Sequence, residues 1–248
     1  MSEKTIIAWT DRTWNPWRGC TKISPGCKNC YMFTAQERYG RDPSEVVRTG
    51  TWRDPVRWQK DAAAAGRSER IFTCSWSDWF HEDADRWRDE AWAIIRRCPN
   101  LIFQVLTKRA DRIATHLPAD WGDGYPNVWL GVSVEDRRRL PRIDLLRAVP
   151  GGDTLRFLSI EPLLEDLGHV DLHGIHWVIV GGESGPGYRN MEHAWARSLR
   201  DQCQRAHVPF FFKQSAAPRT EQGIELDGQI IREYPRISLP TIRQNDLF

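Results

Sequence analysis

No apolar run in the chain approaches the roughly 20 residues that a membrane span needs. Met1-Ser2-Glu3-Lys4 leads straight into a strand-like run, without the apolar core of a secretion signal. These absences give the expectation of a cytoplasmic protein with no membrane partner. Charge of one sign is also missing: 35 Lys and Arg against 33 Asp and Glu leave a net charge of +2. No global field therefore commits the chain to nucleic acid or to a lipid surface. The glycine spacings of the dinucleotide fold and the P-loop do not occur, which excludes NAD and nucleoside triphosphates. There is no internal repeat, and no low-complexity stretch beyond Ala62 to Ala65. Cysteine is scarce, at six in 248 residues. Thiols stay reduced in the cytoplasm, so a local cluster of them favours metal over disulfide.

Half of those cysteines fall in one stretch, Gly19 to Tyr31, which holds Cys20, Cys27 and Cys30. Cys27 and Cys30 form a Cys-x-x-Cys pair, and Pro25-Gly26 can turn the chain so that Cys20 joins them. Three thiolates facing one point suit an iron–sulfur cluster or a zinc ion, with one metal position left unfilled by the loop. Cys74, Cys98 and Cys203 are isolated and read as small buried residues. The 13 tryptophans read first as core residues, with base-stacking platforms as the alternative.

Short apolar runs recur at 6–9, 71–74, 101–106, 128–132, 155–158, 175–180 and 208–212. Helical patterns follow at 31–39, 56–65, 84–97, 110–117, 137–149 and 193–206. Strands that are apolar almost throughout, alternating with helices, predict a parallel sheet covered on its outer face. The expected fold class is α/β: a single (β/α) barrel, partial or open, with about seven mostly parallel strands. A doubly wound sheet is the alternative. The expected barrel-like domain is 1–215, with the cysteine loop at 19–31 and a polar excursion at 41–55. Residues 216–248 read as an extension packed on the barrel, with a hairpin signal at Asp227-Gly228.

In parallel α/β folds the ligand site lies at the carboxyl ends of the strands. Those ends carry Ser75, Ser77 and Asp78, then Thr107, Lys108 and Arg109, then Ser133 and Glu135. Ser159 and Glu161, Glu183 and Ser184, and Lys213 and Gln214 complete the rim. Glu135, Glu161, Lys108 and Lys213 are the candidate catalytic groups, the lysines suiting a carboxylate or phosphate. Gly181-Gly182-Glu183-Ser184 is the candidate cofactor turn, where backbone N–H groups meet a polar ligand edge and Glu183 takes an amino group. Ser75, Ser133 and Ser159 are expected beside it. His81, near Asp78, is a candidate metal ligand or acid–base group, against a plain loop residue. Arg137-Arg138-Arg139 and Arg96-Arg97 read as solvated helix faces, with a nucleic-acid contact as the alternative.

Trp9-Thr10-Asp11, Trp14-Asn15-Pro16, Gly19-Cys20 and Pro25-Gly26-Cys27-Lys28-Asn29-Cys30-Tyr31 together resemble a bacterial and phage family of unknown function, the three-Cys-motif phage proteins. Cys74-Ser75-x-Ser77-Asp78, Leu106-Thr107-Lys108-Arg109, Gly131-Val132-Ser133-Val134-Glu135, Ser159-Ile160-Glu161-Pro162, Gly181-Gly182-Glu183-Ser184-Gly185 and Phe212-Lys213-Gln214 continue the match in order. That family looks like a divergent branch of the radical S-adenosylmethionine enzymes, with six residues here after the first cysteine where three are usual. The resemblance implies a [4Fe–4S] cluster on Cys20, Cys27 and Cys30 with one open iron. It also implies S-adenosylmethionine on that iron, cleaved by one electron to a 5′-deoxyadenosyl radical, and an electron donor such as flavodoxin or ferredoxin. Trp14, Trp17, Trp76 and Trp79 would then form a dry wall. A three-Cys-motif partner protein is an implied partner, and nucleic acid or a nucleotide an implied substrate. Two alternatives stand beside this reading: a zinc-stabilised nucleic-acid-binding protein, and a hydrolase or lyase using Glu135, Glu161 and Glu183 with the lysines.

Overall fold

The computed structural model describes residues 5–152 and 154–236. The Met1–Lys4 segment and the part of the expected extension beyond residue 236 lie outside the described residues. In chain order the strands are β1 (Arg12–Thr13), β2 (Trp17–Arg18), β3 (Val47–Arg48), β4 (Glu69–Thr73) and β5 (Leu101–Thr107). Then come β6 (Val128–Ser133), β7 (Leu155–Ile160), β8 (Trp177–Gly181) and β9 (Phe210–Gln214). The helices are α1 (Tyr31–Arg38), α2 (Asp54–Ala64), α3 (Asp85–Arg96), α4 (Pro141–Arg147) and α5 (His193–Ala206). Seven strands form one parallel sheet in the order β1-β4-β5-β6-β7-β8-β9, while β2 and β3 make a separate antiparallel ribbon. The sheet runs from β1 to β9 without closing, an open (β/α) barrel-like arrangement.

Both faces of the sheet are buried, which is why its strands read as unbroken apolar runs. Phe157 of β7, Trp177 and Ile179 of β8 and Phe211 of β9 turn to the concave side, where they meet Trp9, Phe72 and Trp129. Leu158, Val178, Val180, Phe210 and Phe212 alternate with them and pack in the larger core that includes helix residues such as Ala196 and Leu199. On the concave side a Cβ on Gly131 would stand 2.4 Å from the Phe157 ring, so glycine lets that ring fill the interior. The curl brings Trp9 onto Phe72 of β4 (ring centroids 4.6 Å apart) and Trp177 of β8 (6.3 Å). Tyr234 closes the same end, stacking near Trp177 and donating its O–H to the Ala8 carbonyl at 3.1 Å.

The structure corrects several sequence expectations. The first strand is not at 6–9 but at Arg12–Thr13, paired with Ile71 and Phe72. Trp9 is needed as a floor residue, Ile6 is 75% exposed, and the Asp11 N–H and carboxylate instead engage Arg70. Residues 110–117 form only a 3₁₀ turn over Ala110–Arg112. There the His116 ring and the Thr115 hydroxyl both engage the Arg112 carbonyl, competing with helical bonding. The helix expected over 137–149 is a 3₁₀ turn at Arg137–Arg139 followed by the shorter α4. The 41–55 stretch contributes β3 and buries Val46 and Trp52. Residues 216–236 run back along β9: Phe212 N–H donates to the Ile231 carbonyl (2.8 Å) and Glu233 N–H to that of Phe210 (3.1 Å). Leu226 and Gln229 pair across a turn whose Asp227 and Gly228 have φ of 56° and 74°, as an Asp-Gly hairpin turn requires. No helix among the described residues is long and apolar enough to cross a membrane.

Candidate active site

A cavity of about 630 Å³ opens at the carboxyl ends of the parallel strands. Cys20, Cys27 and Cys30 all stand on its wall, brought there because the cysteine loop leaves β2 and turns through Pro25–Cys27 into α1. Lys108, Ser133, Ser159, Glu161 and Lys213, each at or just past a strand end, line the same cavity, as do Ser75 and Ser184. Of the residues singled out from sequence, Glu135, Gly181, Gly182 and Glu183 stand back from this wall. Gly181 lies against Glu161 and Gly182 against Ala216, so their missing Cβ atoms admit neighbouring chain.

The two recessed carboxylates hold the cysteine loop from below. Glu135 is fully buried; it accepts from the Ser24 hydroxyl (2.7 Å) and the Arg142 guanidinium (2.8 Å), and Lys108 Nζ is 3.5 Å away. Gly26 sits on it so closely that a Cβ there would come 2.6 Å from the Glu135 carboxylate. Glu183 accepts from the Arg189 guanidinium, the Arg189 N–H (2.9 Å) and Asn29 Nδ2 (2.9 Å), and Arg189 also donates to the Pro25 carbonyl (3.0 Å). Burial pushes both carboxyls up, yet the opposing charges and donors outweigh it and hold both below the usual range.

Cations also approach the thiols. The Lys108 ammonium donates to Ser133 Oγ at 3.0 Å; burial works to lower its pKa, but Glu135 and the Cys27 and Cys30 sulfurs raise it overall. Arg109 lies 3.8 Å from the Cys20 sulfur, 3.6 Å from Asp78 and 3.3 Å from Glu82, and donates to the Thr21 hydroxyl at 2.6 Å. Asp78 is itself fixed by the Thr107 hydroxyl (2.6 Å) and the Lys108 N–H (2.8 Å). Lys213 and Glu161 form a 3.0 Å ion pair on the wall, offering one positive and one negative group side by side. His81 is buried outside the cavity; its Nδ1 accepts from the Asp83 N–H at 3.2 Å, which leaves Nε2 to donate to Thr21 Oγ1. Burial and Arg109 lower its pKa, so it is a neutral brace on the cysteine loop.

The donor chemistry fits an iron–sulfur cluster: three thiols, none in a disulfide, share one wall and face open space. Among the described residues no three His, Cys, Asp or Glu groups are already gathered around a single metal point. The Cys20 pKa is pushed up to about 12 by burial, reinforced by Asp78 and opposed by Arg109, and that of Cys30 is raised by burial as well. Loading metal therefore requires these thiols to draw together and release protons.

Several participants carry no sequence signal of their own. Arg142 and Arg189 lie in segments with no motif, and Asn29, though inside the cysteine motif, has no metal-binding chemistry of its own. Cys74, read from sequence as isolated, lines the same cavity as the other three thiols, and its position just past β4 was the available clue. Trp76 lines the cavity, while Trp14, Trp17 and Trp79 pack beneath it, with Trp17 and Trp79 centroids 5.0 Å apart. The basic runs are largely answered locally: Arg96 by Asp120, Arg137 by Asp166 and Arg138 by Asp136.

Fold and site together define an open parallel (β/α) barrel with a thiol-lined cavity at its carboxyl rim. The chain belongs to a family described as a protein of unknown function, DUF5131, whose model matches residues 4–235. That span takes in every strand of the sheet, the cysteine loop and the cavity. No curated protein and no solved structure matches the chain.

Proposed function

We propose that the protein is an iron–sulfur enzyme of the radical S-adenosylmethionine type. The observation that carries this reading is that Cys20, Cys27 and Cys30 line one cavity together with Lys108, Glu161 and Lys213. The three cysteines would hold a [4Fe–4S] cluster. When bound, the cluster supplies one electron, delivered by a donor such as flavodoxin or ferredoxin, for reductive cleavage of S-adenosylmethionine. The chain's own part is to bind and to shield. The Glu161–Lys213 pair answers both ends of an amino-acid zwitterion, and the Ser133 and Ser159 hydroxyls give neutral donors beside it. Glu135 and Glu183 keep the thiols in place through Ser24 and Asn29. A three-Cys-motif partner protein and a nucleotide or nucleic-acid substrate belong to the same reading.

Cys74 favours a second reading, because a fourth thiol on the wall would suit a zinc ion in a nucleic-acid-binding protein without catalysis. Anaerobic reconstitution decides between them. The radical-enzyme reading expects a brown protein with about four irons per chain, lost in Cys27→Ala/Cys30→Ala, and reductive cleavage of added S-adenosylmethionine. A colourless chain that takes up one zinc and no iron would overturn it.

A further inference from the structure

A second cleft, of about 400 Å³, lies beside the cysteine cavity and shares Thr13 and Trp76 with it. It is built by the β2–β3 ribbon and the chain just after α1, and it is lined by Arg18, Arg41 and Arg48. Of these three arginines only Arg48 has a carboxylate partner among the described residues, Glu90 at 2.8 Å. Arg18 donates only to the neutral Gln36 amide at 3.2 Å, and Arg41 is exposed. The nearest acid in sequence, Asp42, is turned back onto the Ser44 N–H and hydroxyl. Two guanidinium groups thus reach one concave site without a carboxylate partner among the described residues.

Aromatic surface accompanies the charge. Tyr39 is 63% exposed and stacks on Trp76, with centroids 6.5 Å apart and planes 23° from parallel. The Arg41 guanidinium lies 5.3 Å over the Tyr39 ring. On the opposite side Gly50 has nothing packed where a Cβ would stand, so a ligand can approach the backbone between Thr49 and Thr51. Both threonine hydroxyls donate to the Asn15 carbonyl, at 2.5 and 3.1 Å, and the Thr49 N–H donates to the Pro16 carbonyl at 3.0 Å, so this wall of the cleft is held in place. Cations for phosphates alternating with flat rings for bases are the recognition chemistry of single-stranded nucleic acid.

We infer that this cleft holds the sugar–phosphate backbone of a single-stranded nucleic acid, with a base stacked on the Tyr39–Trp76 pair. Trp76 stands between cleft and cavity, so an adjoining nucleotide would reach the thiol-lined chamber past it. The strand is thereby the substrate class of the proposed reaction and rests on that reading for its chemistry, though its binding does not depend on a cluster. A duplex would keep its bases stacked inside and could not use the aromatic pair, which favours an unpaired strand.

The test is fluorescence anisotropy of the full chain with labelled oligonucleotides of about 12 nucleotides, across a salt series. Arg18→Ala/Arg41→Ala is expected to weaken binding at least about tenfold near 0.1 M salt and to reduce the log–log salt slope by about 1.4, roughly 0.7 per lost contact. Trp76→Ala should cost about fivefold or more with the salt slope unchanged. Arg205→Ala, on α5, should change neither. Thermal melting confirms that each variant is folded. Unchanged affinity and slope in the double arginine variant would overturn the proposal, as would equal binding of duplex, or of a mononucleotide alone. The same titration on Cys27→Ala/Cys30→Ala separates the two readings. Strand binding that survives loss of iron supports the cleft, and strand binding by a wild-type chain that never takes up iron sinks the cluster while leaving the cleft standing.

Discussion

At the scale of single residues, three glutamates that follow strand ends in the same way divide between two tasks. Glu161 faces the cavity paired with Lys213, whereas Glu135 and Glu183 face the underside of the cysteine loop. The division is set by which cation reaches each one. Arg142 on α4 and Arg189 ahead of α5 draw their glutamates away from the opening. Glu183 gives this a measurable consequence. Its carboxyl titrates lower in the folded chain than in the unfolded one, so the ionised form favours folding. That contribution is full above the unfolded carboxyl's pKa of about 4.3 and disappears as the pH falls below it through the folded value. Glu183→Gln should therefore lower stability by about 2 kcal/mol at pH 7, the worth of hydrogen bonds to a charged group. The gap between wild type and variant in denaturant melts should close below about pH 4. A gap independent of pH would show that Glu183 does not act as a carboxylate in this clamp.

At the scale of elements, the cysteine loop is clamped from below by two carboxylates, and Gly26 rests directly on one of them. Gly26→Ala would drive a methyl group into the Glu135 carboxylate, so either the loop lifts or the Ser24 and Arg142 bonds to that carboxylate break. The expected outcome is a folded protein whose melting point falls modestly and whose iron content after reconstitution drops to half or less. Normal iron loading in that variant would mean the loop is held elsewhere. The same element shows what could be read from sequence. Its thiols were legible because cysteine is scarce and closely spaced, and strands such as β5 and β8 because both faces are apolar. The α5 bounds were legible from helical spacing. Two-residue strands such as β1, β2 and β3 carry no period to read. Nor does sequence spacing reveal that Arg189 will span 164 positions to bond Pro25.

At the scale of the whole molecule, β9 and β1 do not pair among the described residues, and the returning segment bonds along β9 instead. Side chains join the two edges at the amino end of the sheet. Trp177 is the hub, with ring centroids 6.3 Å from Trp9, 5.8 Å from Trp129, 5.9 Å from Phe157, 6.0 Å from Phe211 and 5.4 Å from Tyr234. Its indole N–H is satisfied by the Glu233 carbonyl at 2.8 Å, which ties in the returning C-terminal segment as well. Trp177→Ala removes a fully buried ring from the junction of both edges and should cost about 3–5 kcal/mol. Denaturant melts should register this as a lower midpoint with an unchanged slope, since the same surface is exposed on unfolding. The cysteine loop hangs from Glu135 and Glu183 at the opposite end of the strands, so the variant's folded fraction should still load iron at the wild-type ratio. Loss of loading in step with loss of stability would instead mean that floor and rim form one cooperative unit, with the cavity held by the closure of the barrel and not by its two carboxylate clamps.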